Sequence, residues 1–182
     1  QLYDALAERA IACAADFDRQ GVSNTLWGFA TAGSAREDVF SVLAAHTVET
    51  GLWRKFSPQM ASNLVWAFSR AGITDVPLFE AIAQFIRENA NRLDNLNISN
   101  LAWAYSIAEL PSRVVFETLT QCALGRLHSF RLTELNGLLW AFARAKVAGS
   151  PLFEEAVDAL LPHTSKLDAQ GVSNVIWVFA TA

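Results

Sequence analysis

Apolar residues recur along this chain every three or four positions, in runs separated by short polar segments. In the run that follows Asp18, one stripe contains Val22, Leu26 and Phe29, and a second stripe beside it contains Trp27. This spacing is that of an α-helix. A helix that is apolar over most of its circumference is packed on two sides. The pattern therefore predicts inner helices, here called A helices, that keep only one narrow polar strip.

The same apolar run returns at a fixed interval. Its tryptophans are separated by 39, 37, 37 and 37 residues, within variants of the phrase GVSNTLWGFATAG. A phenylalanine follows 13 residues after four of them, and a large apolar residue precedes each by ten. A constant period in the high thirties indicates a repeat array. The five tryptophans are Trp27, Trp66, Trp103, Trp140 and Trp177.

Helix starts and stops divide each repeat into two helices. Ser57 followed by Pro58 is a typical helix start, and Asp18, Asp94 and Asp168 stand in the same place in other repeats. In the fourth repeat Arg131 holds this place, and Thr133 offers an alternative start. Glycines at 33 and 72 are suited to end A helices. Second helices, the B helices, are predicted to begin at Asp75-Val76-Pro77 and Ser150-Pro151, with apolar positions at Leu78, Phe79, Ile82, Phe85 and Ile86.

Stacked helical hairpins predict an all-α fold, a right-handed α-solenoid with a repeat of about 37–39 residues. We expect one array, with a partial hairpin at 1–16, repeats at 17–55, 56–92, 93–129 and 130–166, and a partial repeat at 167–182. Neither end resembles the polar cap of a natural array, so we expect an excerpt of a longer protein. Trp53 lies off the period, where it is predicted to cover a longer loop.

Composition narrows the function classes. Hydrophobic residues make up 52% of the chain and charged residues 18%, and the net charge is −4. This favours a packed fold over disorder, and no apolar run is long enough for membrane insertion. The two cysteines and three histidines occupy different places in their repeats. We therefore expect no metal, no cofactor, no small-molecule substrate and no catalytic activity.

The segment PQMASNLVWAFSRAG, from Pro58 to Gly72, followed by PLFEAI, resembles the octotricopeptide repeat family of algal and other protist organelles. The repeats of FAST-kinase and RAP-domain proteins are similar. The resemblance covers nearly the whole chain and is weakest in the fourth repeat, where Gly137 replaces the recurring Asn. It implies a sequence-selective RNA-binding factor in RNA processing, stability or translation, located in the chloroplast or the mitochondrion.

In stacked hairpins the A helices line the concave face, so their polar strip is the candidate surface for single-stranded RNA. Amides can pair with base edges, and arginines can neutralise phosphates or stack on bases. The candidate residues are Gln20, Asn24, Thr31, Gln59, Asn63, Arg70, Asn97, Asn100, Ile107, Thr133, Arg144, Gln170, Asn174 and Thr181.

Two features of the strip leave alternatives open. The recurring Asn either contacts RNA or forms a hydrogen-bonded ladder between adjacent helices. The slot occupied by Thr31, Arg70, Ile107, Arg144 and Thr181 varies, so it is the better specificity candidate.

The periodic tryptophans are predicted to lie in the core. Because the strip holds only two arginines and Asp begins three A helices, a protein-interaction scaffold within a large organellar complex is the alternative function.

Overall fold

The computed structural model describes residues 1–110, 112–147 and 149–182. Over these ranges it contains ten α-helices, five short 3-10 helices and no strand, which confirms the predicted all-α helical-repeat fold. No helix in the described ranges has the length and apolarity needed to cross a bilayer. The α-helices are α1 Leu2–Ala12, α2 Arg19–Thr31, α3 Glu37–Glu49, α4 Pro58–Ala71, α5 Val76–Glu88, α6 Asn95–Ile107, α7 Arg113–Ala123, α8 Leu132–Arg144, α9 Pro151–Leu160 and α10 Ala169–Thr181.

The helices belong to two compact units, Gln1–Glu88 and Asn89–Ala182. In the first unit the A helices α2 and α4 pack on each other, and the B helices α1, α3 and α5 pack in series. In the second unit α8 packs between α6 and α10, while α7 packs on α9. Each A helix from α2 to α8 also contacts the B helix that follows it. Each unit is therefore a layer of A helices against a layer of B helices.

The predicted helix starts are confirmed at four A helices. The side chains of Asp18, Asp94 and Asp168 accept hydrogen bonds from the backbone N–H three residues ahead, at 2.7, 2.7 and 2.8 Å. The Ser57 hydroxyl accepts in the same way at 3.2 Å, and Pro58 occupies the first helical position. These bonds satisfy N–H groups that have no partner within the helix.

The fourth repeat begins its A helix without a capping side chain at the usual place. Helix α8 starts at Leu132, so the alternative start at Thr133 is wrong. The Glu134 carboxylate instead accepts a hydrogen bond from the Arg131 backbone N–H at 2.9 Å. Glu134 thus supplies one of the two hydrogen bonds of a capping box, in which its side chain accepts from the backbone N–H at the helix start.

Phenylalanines join successive repeats through edge-to-face ring contacts. The B-helix phenylalanine packs on the aromatic residue that lies two positions after the next repeat's tryptophan. The ring centroids of Phe40 and Phe68 lie 4.9 Å apart, and those of Phe116 and Phe142 lie 5.0 Å apart. Tyr3–Phe29 and Phe153–Phe179 repeat the arrangement. Such a pair contributes about 0.5–1.5 kcal/mol beyond its buried area.

Each of the first four A helices is followed by a residue in the left-handed backbone conformation, six positions after its tryptophan. Gly33 and Gly72 have φ values of 64° and 70°, as their type predicts. Glu109 and Lys146 occupy the equivalent places with φ values of 54° and 55°. A side chain at such a φ is strained. The helix ending is therefore a property of the repeat, and two repeats adopt it without glycine.

We predict that Lys146→Gly stabilises the protein by about 0.5–1 kcal/mol, because it removes the left-handed strain from an exposed position. Gly72→Ala is the reciprocal control, since a Cβ there meets no atom within 4 Å and only the backbone penalty remains. It should destabilise by about 1 kcal/mol. Urea unfolding followed by far-UV circular dichroism measures both. An unchanged midpoint for Lys146→Gly would contradict the strain argument.

Candidate nucleic-acid interface

In each unit, the exposed and half-buried side chains of the A helices form a surface that we call the A-helix face. Its helices are α2 and α4 in the first unit, and α6, α8 and α10 in the second. Nearly all the predicted strip residues belong to it. The half-buried members are Asn63, Asn100, Ile107 and Asn174. The exposed members are Gln20, Asn24, Thr31, Gln59, Arg70, Thr133, Arg144, Gln170 and Thr181.

Asn97 departs from this arrangement. It is only 4% exposed. Its backbone N–H donates to Asp94, and its carboxamide oxygen accepts from the Asp94 backbone N–H at 3.4 Å. These reciprocal bonds form a capping box at the start of α6. Asn97 is thus a structural residue of the first helical turn and not part of the exposed strip.

The periodic tryptophans lie on the A-helix face, and their predicted place in the core is wrong. Trp27 and Trp177 are 44% and 43% exposed, and the other three are half-buried. The reason is the neighbouring aromatic residue of the repeat. Residues two apart on a helix point to nearly opposite sides, and the second residue, such as Phe68 or Phe142, occupies the core. The tryptophan is left beside the polar strip.

A groove of about 390 Å³ runs over the A helices of the second unit. It combines aromatic rings with amide and hydroxyl groups from the predicted strip. At one side of it the rings of Trp140 and Trp177 lie 6.2 Å apart at 35°. One carboxylate, that of Asp168, also lines the groove. The residues that line it are Trp103, Thr133, Asn136, Gly137, Trp140, Asp168, Gln170, Gly171 and Asn174.

In each unit a buried serine, and not the recurring asparagine, forms a hydrogen bond between adjacent A helices. The Ser99 hydroxyl donates to the Glu134 carbonyl at 3.0 Å, and the Ser23 hydroxyl donates to the Met60 carbonyl at 3.4 Å. Both serines are buried. Asn174, in contrast, accepts from Gln170 of its own helix at 2.9 Å. Among the described residues of each unit the asparagine ladder is therefore not formed, and the amides stay on the surface.

Arg144 is already engaged on the A-helix face. Its guanidinium lies 5.6 Å from the centroid of the Trp140 ring, and its Nε donates to the Ser106 carbonyl at 3.3 Å. The Glu109 carboxylate is 3.6 Å from its Nη2. These contacts orient the guanidinium, while the exposed carboxylate offsets part of its charge.

Arginines also line a second cavity, of about 660 Å³, where α6 and α8 begin. Arg92, Arg126 and Arg131 contribute to it, together with Asp94 and Glu134. Both carboxylates accept hydrogen bonds from backbone N–H groups. We call this surface the arginine edge. It adjoins the groove along α8, because Arg131 and Glu134 line one cavity while Thr133 and Gly137 line the other.

The arginine edge is held by one well-anchored side chain. Arg126 Nη2 donates to the Leu93 carbonyl at 3.1 Å and to Asn95 Oδ1 at 2.8 Å. Arg92 and Arg131 are exposed. Sequence reasoning missed this edge, although a signal exists. Lys55, Arg92 and Lys166 each stand directly before the apolar residue that precedes an A helix.

These features define a class, an all-α helical-repeat protein whose A helices present aromatic and amide side chains. Within the described ranges no group of histidine, cysteine, aspartate and glutamate residues is arranged to hold a metal ion. The chain belongs to the RNA-editing substrate-binding complex 6 protein family, whose model matches residues 1–114. The match covers the whole first unit and extends through α6. Among curated proteins, none matches the chain.

We predict that Trp27→Ala destabilises the protein far less than Trp53→Ala. Trp53 is only 3% exposed, as expected for a residue that covers the longer loop, and Arg54 lies over its ring at 4.3 Å. Removing such a buried ring costs about 3–5 kcal/mol. Trp27, which is 44% exposed, should cost about 1 kcal/mol by the lost area alone. Equal losses in the free energy of unfolding, measured with urea, would show that the periodic tryptophans belong to the core.

Proposed function

We propose that this protein is a non-catalytic, RNA-binding component of an RNA-editing complex. The family description names such a complex and its substrate. The observation that carries the RNA-binding part is the groove of the second unit, where the tryptophans share one surface with Gln170 and Asn174. RNA bases have flat apolar faces and polar edges, and this surface offers partners for both.

Each kind of side chain on the A-helix face has a role in this proposal. Half-exposed tryptophans stack on unpaired bases, which contributes about 1–3 kcal/mol per base. Amides provide a donor and an acceptor to base edges. The arginine edge supplies the phosphate contacts that the strip alone lacks. Single-stranded RNA is therefore the ligand that the surface fits best, since a duplex hides the base faces.

The charge distribution supports this placement within the second unit. The exposed arginines there are Arg92 and Arg131 of the arginine edge, Arg144 beside Trp140, and Arg113, which is paired with Glu117 on helix α7 of the B layer. Arg131 lies 3.9 Å from the Glu134 carboxylate. The exposed acidic residues Glu117, Glu154 and Asp158 also belong to B helices. Part of the negative charge is thus kept on the B layer, whereas Asp94, Glu109 and Asp168 remain near the A-helix face.

The finer parts of the proposal follow from the family and from the repeat phrase. The mitochondrion is the favoured organelle, because the RNA-editing family is typically mitochondrial. The octotricopeptide-like phrase from Pro58 to Gly72 supports sequence-selective recognition in place of simple charge attraction. Protein partners of the complex would then use surfaces other than the A-helix face.

We predict salt-dependent binding of short single-stranded RNAs, measured by fluorescence anisotropy over a salt series. Arg92→Gln with Arg131→Gln should weaken binding and reduce the slope of log K against log salt by about 0.7 for each lost phosphate contact. Arg87→Gln with Arg113→Gln removes the same charge from B helices and is the matched control. It should leave the slope nearly unchanged.

The protein-scaffold alternative predicts a different result for the same titration. A scaffold would bind RNA at no salt concentration, or equally weakly in all variants. Equal slopes for the two double variants would show that the phosphates lie elsewhere. Either outcome would remove the A-helix face from the proposal, whereas separate slopes would support it.

A further inference from the structure

We propose that the position of Gly137 is a pocket for one unstacked nucleobase, with Trp103 and Trp140 as its aromatic walls. This inference rests on the proposed RNA binding and assigns one base of the ligand to one place on α8. It starts from an irregularity of the repeat: four repeats carry an asparagine three positions before the tryptophan, and the fourth carries Gly137.

The missing side chain coincides with the groove. Gly137 lines the cavity of about 390 Å³ on the A helices of the second unit. Small-ligand pockets begin at about 300 Å³, so the space suits a single nucleotide better than a stack of bases. An asparagine at this place, as in the neighbouring repeats, would add a side chain at the wall of that space. The one repeat that lacks the recurring asparagine is therefore the repeat at which the groove lies.

The groove can read the edge of a base. Gln170 Nε2 donates to Asn174 Oδ1 at 2.9 Å. This bond leaves Gln170 with its carboxamide oxygen as an acceptor and Asn174 with its amide as a donor. An adjacent donor and acceptor match the polar edge of a nucleobase. The hydroxyl of Thr133 lies on the same groove.

Asn136 provides an independent sign of an absent partner. It lines the same groove. Its carboxamide oxygen is buried, and within the described part of the chain no hydrogen-bond partner reaches it. A buried acceptor without a partner costs about 1–3 kcal/mol. A base N–H group that reached this oxygen would remove the cost.

Gly137 also has a packing role that an experiment must separate from binding. A Cβ at this position would approach the Ser99 hydroxyl to 3.0 Å, and that hydroxyl bonds to the Glu134 carbonyl. Gly137→Asn alone would therefore disturb the contact between α6 and α8. Ser99→Ala removes the hydroxyl, so Gly137→Asn is tested in that background.

The experiment measures the affinity of the whole protein for a short single-stranded RNA at constant salt. Ser99→Ala should bind like the unmodified protein. Adding Gly137→Asn should weaken binding about tenfold, which is the stacking contribution of one base. Gly149→Asn is the matched control, because Gly149 lies outside the A helices, a Cβ there meets no atom within 4 Å, and asparagine is tolerated at its left-handed φ of 71°. It should bind like the unmodified protein, and circular dichroism checks that each variant is folded.

A double-mutant cycle then connects the glycine to the ring. Measured on the Ser99→Ala background, Trp140→Leu alone should also weaken binding about tenfold, and Trp140→Leu with Gly137→Asn should lose little more than either change. Equal effects of Gly149→Asn and Gly137→Asn, or strictly additive effects in the cycle, would overturn the pocket while RNA binding stands. Absence of RNA binding by the unmodified protein would overturn the proposed function and the pocket together.

Discussion

The contact between a B-helix phenylalanine and the aromatic residue of the next A helix is the joint on which each unit depends. It recurs as Phe40–Phe68 and Phe116–Phe142, with centroids 4.9 and 5.0 Å apart. Each ring is fully buried, so the joint combines apolar burial with a preferred ring geometry. Because each joint links one repeat to the next, it determines the spacing of the helices within the unit.

This joint explains what the tryptophans do. The core accepts one large aromatic ring from each of α2, α4, α6 and α8, and the residue two positions after the tryptophan provides it. The tryptophan then points toward the polar strip, where part of its apolar ring stays in contact with water. This exposure is unfavourable for stability. A ring that is periodic and never fully buried in the five repeats is poorly explained by stability alone. It is better explained by a ligand that covers it.

The sequence predicted the regular parts of this protein well. Helix starts at Asp18, Ser57 and Asp94 follow from local capping chemistry, which needs no knowledge of distant residues. The prediction that the tryptophans are buried failed because both neighbouring stripes of an A helix are apolar. Periodicity alone cannot decide whether the tryptophan or the phenylalanine enters the core. The Ser99 bond to Glu134 and the anchored Arg126 were also beyond reach, since both depend on the register between helices 30 or more residues apart. The left-handed backbone conformation of Glu109 and Lys146 could not be predicted, because the glycine that usually indicates it is absent there.

A protein with a negative net charge is an unusual binder of RNA, and the placement of its charged side chains matters for this reason. Asp94 and Asp168 place carboxylates at the starts of α6 and α10, where they compete with any phosphate for the helix N-terminus. The phosphate contacts must then come from side chains, and the arginines available in the second unit are Arg92 and Arg131 of the arginine edge and Arg144 beside Trp140. With so few cations, the electrostatic share of binding is small, and base contacts carry more of the affinity. A surface of this kind gains selectivity for bases at the expense of general attraction to RNA, because it holds weakly any strand whose bases do not fit.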